Sequence, residues 1–203
     1  MRSRTLSHLP GRCPRCWIRH EFCLCADIPT VPTRTRVVIV RHAREADKST
    51  GTARIAGLAL PNSAMIDFGE ESAPVDEEVK PFVPGAWLLF PADFDAPPAP
   101  EVLPQCLIVI DGTWRQTRRM LKKLPALANV PRLGLPTKQA APLRLRESTS
   151  PDNRSTLEAI ADALTLLEGP GVGQPLHLLH SLMVERVFRA RGIWELRRPA
   201  AAP

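Results

Sequence analysis

The chain has 203 residues, with 27 lysines and arginines against 21 aspartates and glutamates, a net charge of +6 and 44% hydrophobic residues. This hydrophobic fraction supports a folded core and excludes a wholly disordered chain, and the length suits one domain with a small appendage. No apolar run reaches about 18 residues and the N-terminus lacks a signal-peptide core, so we expect a cytoplasmic protein without a membrane partner, whose positive charge favours a polyanion.

Four of the five cysteines lie near the N-terminus, in the pattern Cys13-x2-Cys16-x6-Cys23-x-Cys25. Because the cytosol keeps ordinary thiols reduced, such a cluster indicates metal binding, and four thiolates form the usual closed structural zinc site. The second half of the cluster is tighter than in a standard zinc ribbon. A ligand set that includes His20, and a redox pair without metal, are therefore alternatives. Cys106 opens an apolar run and is predicted to be a buried small hydrophobe.

A proline-broken connector ends the N-terminal element at residue 35, and strand and helix patterns then alternate along the chain. Strands are predicted at residues 36–40, 64–68, 86–90 and 107–110, with weaker signals at 131–135 and 143–146. Helices are predicted at residues 52–60, 113–124, 155–167 and 176–189, and loops at 69–85 and 91–105. The alternation predicts an α/β domain on a mainly parallel sheet over residues 36–195, followed by a disordered tail at 196–203.

Asp111 directly follows the strongest predicted strand, and Gly112 makes the turn into the next helix. In open α/β sheets, ligands bind outside the carboxyl ends of the strands, so Asp111 lies where a catalytic carboxylate would lie. The alternative is that Asp111 only caps the helix. Trp114 is by residue type more typical of the core than of a ligand platform.

The helix after Asp111 carries five cations and no acid between them: Arg115, Arg118, Arg119, Lys122 and Lys123. Like charges four residues apart destabilise a helix slightly, and an anionic partner such as RNA phosphate would offset this cost. A solvated basic face is the alternative. Arg41 and His42, which follow the first strand, are a further candidate substrate contact or an ordinary surface pair.

Ser155 and Glu158 have the spacing of a helix capping box. The same helix start could present its amides and positive dipole to a bound carboxylate or ribose. Leu89, Phe90 and Pro91 end another predicted strand, and core followed by a turn is their simplest interpretation. The chain has neither G-x-G-x-x-G nor G-x-x-x-x-G-K-[ST], so Rossmann and P-loop nucleotide binding lack their usual sequence support.

Taken in order, four motifs resemble the DTW-domain family of tRNA-uridine aminocarboxypropyltransferases: the cysteine cluster, Leu89-Phe90-Pro91, Asp111-Gly-Thr-Trp114 and Ser155-Thr-Leu-Glu-Ala159. The resemblance implies a SPOUT-like α/β fold with a C-terminal trefoil knot that holds S-adenosylmethionine (SAM). It also implies transfer of the 3-amino-3-carboxypropyl (acp) group of SAM to N3 of a tRNA uridine, with release of 5′-methylthioadenosine. Two departures are Gly51-Thr-Ala-Arg54 in place of Asn-Thr-Gly-Arg, and the absence of tyrosine from the region that matches Tyr-x-x-Arg.

The resemblance also implies roles for individual residues. Asp111 is expected to be the general base that prepares uridine N3. The residues expected to bind SAM are Leu89, Phe90, Pro91, Gly112, Thr113, Trp114, Arg144, Arg146, Ser155, Thr156 and Glu158. Those expected to bind tRNA are Arg41, His42, Arg115, Arg118, Arg119, Lys122 and Lys123, and those expected to bind zinc are Cys13, Cys16, Cys23 and Cys25. The alternatives are a SPOUT-like RNA methyltransferase and a zinc-stapled RNA-binding module without catalysis.

Overall fold

A five-stranded sheet forms the centre of the protein in the computed structural model, which describes residues 10–46, 48–69, 75–91, 102–137, 143–145 and 154–197. The strands are β1 Arg36–His42, β2 Ser63–Phe68, β3 Ala86–Leu89, β4 Cys106–Asp111 and β5 Arg132–Leu133. Their order is β2-β1-β4-β3-β5, and all four pairs of neighbours are parallel. The predicted α/β fold on a mainly parallel sheet is therefore confirmed.

Helices cover both faces of this sheet. They are α1 Ala43–Ala46, α2 Thr52–Ala59, α3 Val75–Val79, α4 Trp114–Lys122, α5 Thr156–Glu168, α6 Pro170–Ala190 and α7 Trp194–Arg197. Residues of α2, α5 and α6 pack in one apolar cluster with one face of the sheet, and residues of α3 and α4 pack in a second cluster with the other face. Among the described residues, no helix is long and apolar enough to cross a membrane.

The central strands are apolar on both faces because both faces are covered. In β1, Val37 and Ile39 belong to the cluster with α5 and α6, whereas Val38 and Val40 belong to the cluster with α4. All four side chains are fully buried. A continuous β-branched run, as opposed to strict alternation, is the pattern expected of a parallel strand between two helical layers.

The neighbouring strands β1 and β4 send the chain in opposite directions. After β1 the chain passes through α2, on one face, to β2. After β4 it passes through α4, on the other face, towards β5 on the far side of the sheet. The carboxyl ends of β1 and β4 therefore flank a topological switch point, which is where open α/β sheets leave a crevice for ligands.

Several predicted boundaries are wrong, each for a local reason. The segment 69–85 is not only a loop, because Val75 and Val79 are buried one helical turn apart and form α3. Helix α6 begins at Pro170 rather than at residue 176, since proline is well tolerated at the first helical position. The weak strand at 131–135 is reduced to two residues.

The two remaining differences concern the C-terminal half of the chain. Residues 143–145 are not in a strand, and residue 146 lies outside the described residues. The last helical turn, α7, includes residues 196 and 197, which the sequence analysis assigned to a disordered tail. Residues 198–203 lie outside the described part of the chain.

The N-terminal element packs onto the body of the protein. Cys13, Cys16, Ile18 and Leu24 are buried and belong to the same apolar cluster as β1, α5 and α6. The connector that follows donates the backbone N–H of Val31 to the last carbonyl of α2. Because its core is continuous with that of the sheet, the element contributes to the fold of the domain.

Helices α5 and α6 approach each other closely at Gly173. A Cβ atom added there would lie 1.8 Å from Thr165 Oγ1 and 2.6 Å from the carbonyl oxygen of Ala161. The second contact is with backbone, which cannot rotate away. Glycine is therefore required at this position by the interhelical distance.

We expect Gly173→Ala to lower the free energy of unfolding by about 1–3 kcal/mol, the usual cost of overpacking a core, although alanine is the better helix former. Gly171→Ala, in the same helix, is the matched control because nothing lies within 4 Å of the added Cβ. Urea denaturation of the two variants checks the prediction. Equal stability of the two variants would contradict it.

Candidate active site

A cavity of about 900 Å³ opens at the carboxyl edge of the sheet. Its walls come from the ends of β3, β4 and β5, from the segment after β1, and from the start of α5. The switch point between β1 and β4 borders it. The volume is in the range of pockets that enclose a drug-sized ligand.

Asp111 lies at the wall of this cavity as the last residue of β4. Asp111 is 8% exposed, and its Oδ1 accepts a hydrogen bond from the hydroxyl of Thr156, the first residue of α5. β4 thus places a carboxylate at the sheet edge, and α5 holds it in one orientation. A buried, oriented carboxylate beside a cavity is suited to accept a proton from a bound ligand.

The cap of α4 is Thr113 and not Asp111, so the capping alternative for Asp111 is wrong. Thr113 Oγ1 accepts from the N–H of Gln116 at 3.3 Å, and Gln116 Oε1 accepts from the N–H of Thr113 at 2.7 Å. Gly112 permits this tight turn, because an added Cβ would lie 3.2 Å from the Cβ of Gln116. Asp111 is therefore released from a capping role.

The start of α5 forms the capping box that the sequence predicts. Ser155 Oγ accepts from the N–H of Glu158 at 3.2 Å, and Glu158 Oε2 accepts from the N–H of Ser155 at 2.9 Å. These two amides are consequently engaged within the protein. A ligand at this helix start can therefore reach only the amides of Thr156 and Leu157 and the hydroxyl side chains.

Two polar side chains, the buried His180 and the partly buried Arg154, contact acidic residues of α5, and sequence reasoning missed both. His180 of α6 is 6% exposed, and its Nε2 lies 3.6 Å from Glu158 Oε2. Arg154 donates from Nε to Asp162 at 2.7 Å. Both residues line the cavity. Only the packing of α6 on α5 brings His180 to this place, so no local pattern could have indicated it.

An aromatic pair lies at the mouth of the cavity. The rings of Phe90 and Trp114 are 5.7 Å apart in an edge-to-face arrangement, and the guanidinium of Arg132 lies 5.3 Å from the centre of the Phe90 ring. Trp114 is 47% exposed, so the expectation that it belongs to the core is wrong. Its ring presents an open apolar surface next to Asp111.

The segment after β1 forms a wall that the sequence analysis did not identify. Glu45, Thr50, Gly51 and Thr52 line the cavity, and Glu45 is 3% exposed. Glu45 forms an ion pair with Lys48. In the sequence, Gly51-Thr-Ala-Arg54 was noted only as a departure from the family motif. The burial of Glu45 follows from tertiary packing, which no local pattern indicates.

The structure brings together nearly all residues that were expected to contact SAM. With Asp111, the following line the cavity: Leu89, Phe90, Pro91, Gly112, Thr113, Trp114, Arg144, Ser155, Thr156 and Glu158. Arg146 lies outside the described residues. Segments far apart in the sequence thus converge on one site.

Four cations of α4 and the residue that caps its C-terminal end are exposed: Arg115, Arg118, Arg119, Lys122 and the cap Lys123. Within the part of the chain that the structure describes, none of them forms an ion pair with an acid. Thr117 and Met120 make up the buried face of the helix. The basic face of α4 therefore leads away from the cavity mouth, where Arg115 lies.

Arg41 and His42, at the end of β1, were expected to bind tRNA, and the structure gives Arg41 a different partner. Arg41 is 8% exposed and forms a bidentate pair with Asp67, at 2.7 and 2.9 Å, so its guanidinium is engaged within the protein. His42 is partly exposed. Burial, together with the positive charges of Arg44 and Arg119, lowers the pKa of His42 below its ordinary value.

The four N-terminal cysteines form one compact cluster. Their Sγ atoms all lie within 4.8 Å of one another, with Cys13 to Cys25 at 3.5 Å and Cys16 to Cys23 at 3.8 Å. A zinc ion with four sulfurs at about 2.3 Å requires sulfur separations of about 3.8 Å. His20 is not part of this cluster, and the donor set and its geometry fit a four-thiolate zinc site.

The electrostatics of these thiols suit a cation. Burial opposes ionisation of Cys13, but the backbone N–H groups of Cys16 and Arg15 and the thiol of Cys25 stabilise its thiolate and lower its pKa to about 6. Burial and the neighbouring sulfurs raise the pKa of Cys25 and of Cys23. Cys106 lies elsewhere, buried in β4, where burial raises its pKa to about 11.

Comparison with known families agrees with this geometry. The DTW domain model matches residues 11–188, a range that contains the cysteine cluster, all five strands and the cavity. The chain belongs to the DTW-domain family. Within this family match, the Asp111-Gly-Thr-Trp114 motif lies at the carboxyl end of β4 and at the start of α4.

Curated relatives carry one functional name. Proteins of Macaca fascicularis and Mus musculus, 29% and 28% identical, and one of Drosophila melanogaster, 28% identical, are each named tRNA-uridine aminocarboxypropyltransferase 2. The matches cover 77%, 77% and 83% of this chain. The chain spans 56% of the length of the macaque and mouse relatives and 73% of that of the fly relative. No solved structure matches this chain significantly.

Proposed function

We propose that this DTW-domain protein transfers the acp group of SAM to N3 of a tRNA uridine and releases 5′-methylthioadenosine. The observation that carries the proposal is the position of Asp111, which is buried at the carboxyl end of β4 and hydrogen-bonded to the start of α5 in a cavity of ligand size. The DTW match and the names of the relatives support the same reaction. We place this reaction in the cytoplasm.

In the proposed reaction Asp111 takes the proton of uridine N3. The N3 lone pair then attacks the Cγ atom of the acp chain of SAM. The bond between this carbon and the sulfur breaks, and its electron pair goes to sulfur, so the positive sulfonium leaves as a neutral thioether. Asp111 subsequently returns its proton to solvent. The sulfonium is already a good leaving group, so the only demands on the protein are to remove one proton and to orient two substrates.

The cavity offers complementary groups for SAM. Arg144 can pair with the α-carboxylate of the acp chain in a bidentate manner, and Arg146 is a second candidate from the sequence. The hydroxyls of Ser155 and Thr156 and the turn amides around Gly112 can bind ribose or carboxylate oxygens. Leu89, Phe90, Pro91 and Trp114 provide apolar contacts for the adenine ring.

The exposed basic face of α4 is proposed to bind tRNA phosphates. It begins at the cavity mouth with Arg115 and carries no acid. A phosphate backbone along α4 would bring an unpaired uridine to Trp114 and Asp111. Arg41 is better explained as the partner of Asp67 than as an RNA ligand.

We propose that Cys13, Cys16, Cys23 and Cys25 hold one structural zinc ion. Four protein ligands complete a tetrahedron and leave no position for water or substrate. The metal would stabilise the N-terminal element, whose apolar side chains form part of the main core. We also propose the SPOUT-type relationship and the C-terminal knot, which a continuous experimental trace of residues 134–155 would test.

The function is tested by the products formed from SAM and tRNA that lacks the modification. Mass spectrometry should find 5′-methylthioadenosine and a uridine heavier by one acp group. Release of S-adenosylhomocysteine with a methylated base would instead identify an RNA methyltransferase. RNA binding without any SAM binding would identify a binding module without catalysis.

We expect Asp111→Asn to lower the turnover rate by about 10²- to 10⁴-fold, the usual contribution of a general base. Asparagine keeps the shape of the side chain, and its carbonyl oxygen can still accept from Thr156. The fold and SAM affinity should therefore stay close to those of the wild type. Single-turnover kinetics, SAM titration and thermal unfolding measure the three quantities.

Asp76→Asn is the matched control for Asp111→Asn, because it makes the same change at a carboxylate that accepts a hydrogen bond, from the N–H of Ala126 at 2.9 Å, and that does not line the cavity. It should leave turnover close to that of the wild type. Wild-type turnover in Asp111→Asn would remove Asp111 from the mechanism. Loss of SAM binding in that variant would place it in the SAM site instead.

We expect replacement of Arg118, Arg119, Lys122 and Lys123 by alanine to weaken tRNA binding and to reduce its salt dependence, because fewer counterions are released from the phosphates. The slope of log K against log [salt] is negative, and its magnitude should decrease by about 2–4. The control removes four cations that pair with acids elsewhere: Arg34, Lys80, Arg186 and Arg189. If both quadruple variants changed the slope equally, α4 would be no more than a solvated face.

We expect about one zinc ion per chain in protein purified without chelator. Cys25→Ser should lose most of the metal and unfold at a lower temperature, because metal binding and folding of this element are coupled. Cys106→Ala should keep the metal, since Cys106 is remote from the cluster. Elemental analysis checks both variants, and a wild-type zinc content well below one would count against the site.

A further inference from the structure

We propose that the stacking of Arg54 on Trp17 is the link through which the four-cysteine element positions the cavity wall made by Glu45 and residues 50–52. Arg54 is thus assigned as a positioning residue that acts on the cavity through this wall. The inference rests on the proposed function only in using SAM as the ligand of the cavity. Its consequence is that metal bound by the cysteines and ligand bound in the cavity favour each other.

The ring of Trp17 is held by the loop that carries Cys13 and Cys16. Trp17 has a φ of +64°, a value that non-glycine residues rarely adopt. Its N–H donates to the carbonyl of Cys13 at 2.9 Å, its indole N–H donates to Pro14 at 3.1 Å, and its carbonyl accepts from Arg12 at 3.0 Å. The orientation of the ring therefore depends on the loop that would bind the metal.

Arg54 connects this ring to the cavity wall. Its guanidinium carbon lies 3.3 Å from the centre of the Trp17 ring, and the same guanidinium donates to the carbonyl of Ala46 at 3.0 Å. Ala46 ends α1 and directly follows Glu45, which lines the cavity. Arg54 itself belongs to the first turn of α2, which begins at the cavity-lining residue Thr52. The side chain of Arg54 thus links the cysteine loop to one end of the wall, and its backbone lies two residues after the other end.

The wall between these ends is tightly packed. The N–H of Lys48 donates to Glu45 at 3.2 Å, and the N–H of Gly51 donates to Lys48 at 3.0 Å. A Cβ on Gly51 would lie 3.0 Å from the carbonyl oxygen of Lys48. Because this turn has little freedom of its own, a shift at either end moves the residues that line the cavity.

Loss of the metal would remove the restraint on the cysteine loop. The left-handed conformation of Trp17 is strained, so the free loop would relax to an ordinary φ and the ring would leave Arg54. The guanidinium would then lose its stacking partner, and the wall would lose one of its supports. By linkage, metal raises the affinity for SAM by the same factor by which SAM raises the affinity for metal.

The experiment compares the wild type with Arg54→Ala, Trp17→Phe and Trp194→Ala. Arg54→Ala removes both the stack on Trp17 and the hydrogen bond to Ala46 but changes no residue of the cysteine loop, and Trp17→Phe retains a ring. Trp194→Ala is the matched control, since it removes a tryptophan that contacts another arginine, Arg189, at 5.5 Å. The measurements are zinc content, thermal unfolding, hydrogen exchange of the Lys48 and Gly51 amides without ligand, and SAM affinity before and after chelation.

In the wild type, we expect chelation to weaken SAM binding by about 2- to 30-fold, the range that corresponds to cation–π contacts from exposed to desolvated sites. With zinc present, Arg54→Ala should weaken SAM binding by a similar factor, and chelation should cause no further loss. In this variant the amides of Lys48 and Gly51 should exchange faster than in the wild type. Trp17→Phe should stay close to the wild type. Trp194→Ala should retain the full effect of chelation.

Two results would overturn the proposal: unchanged exchange of the two amides in Arg54→Ala, or an effect of chelation in Arg54→Ala as large as in the wild type. Failure of the proposed function is distinguishable, because it would appear as a wild-type protein that does not bind SAM. The exchange measurement needs no SAM and would still decide whether Arg54 positions the wall.

Discussion

The hydrogen bond from Thr156 to Asp111 is the contact on which the geometry of the site depends. It joins the last residue of the central strand β4 to the first residue of α5, two positions 45 residues apart in the chain. Strand β4 alone would leave the carboxylate free to rotate at the sheet edge. Helix α5 fixes it, and α5 is in turn held against α6 by the close contact at Gly173. The orientation of the Asp111 carboxylate therefore depends on the packing of α5 against α6.

The two helices at the cavity begin in the same way and serve different purposes. Capping boxes start both α4 and α5, so in each helix start two amides are satisfied without a ligand. At α4 Asp111 therefore has no capping role, and the charged residues on the exposed side of the helix are all basic. At α5 the capping box leaves hydroxyls and two amides toward the cavity. An anionic polymer and a small polar ligand would thus meet different surfaces that share one edge, at Asp111 and Trp114.

Much of the fold follows from local sequence patterns. The run at residues 36–40 is apolar without alternation, and this indicated a strand covered on both faces, as the packing of Val37 to Val40 shows. The capping box at Ser155 and the buried Cys106 were also predicted correctly. Each of these features depends on residues within one strand or one helix. A local sequence pattern is therefore enough to predict it.

What the sequence did not reveal depends on contacts between distant elements. The burial of Glu45 follows from the packing of α1 against β1 and β2, and that of His180 from the packing of α6 on α5. Arg41 looked like a surface residue, but its partner Asp67 lies on the neighbouring strand at the same level of the register. Tryptophan is usually a core residue, but Trp114 is about half exposed. It lies at the start of α4, directly after the turn at Gly112, where the chain lines the cavity.

The reaction type is set by the pose of the donor relative to Asp111 and not by the carboxylate itself. A base that prepares uridine N3 would serve attack on a methyl carbon as well as attack on the acp chain, since both carbons are bonded to the same sulfonium. What separates the two outcomes is which carbon faces the N3 lone pair. The acp chain carries a carboxylate and an ammonium, and Arg144, Ser155 and Thr156 are among the charged and polar residues that line the cavity. Under the proposed reaction, these groups would hold the acp chain so that its Cγ atom, and not the methyl carbon, faces uridine N3.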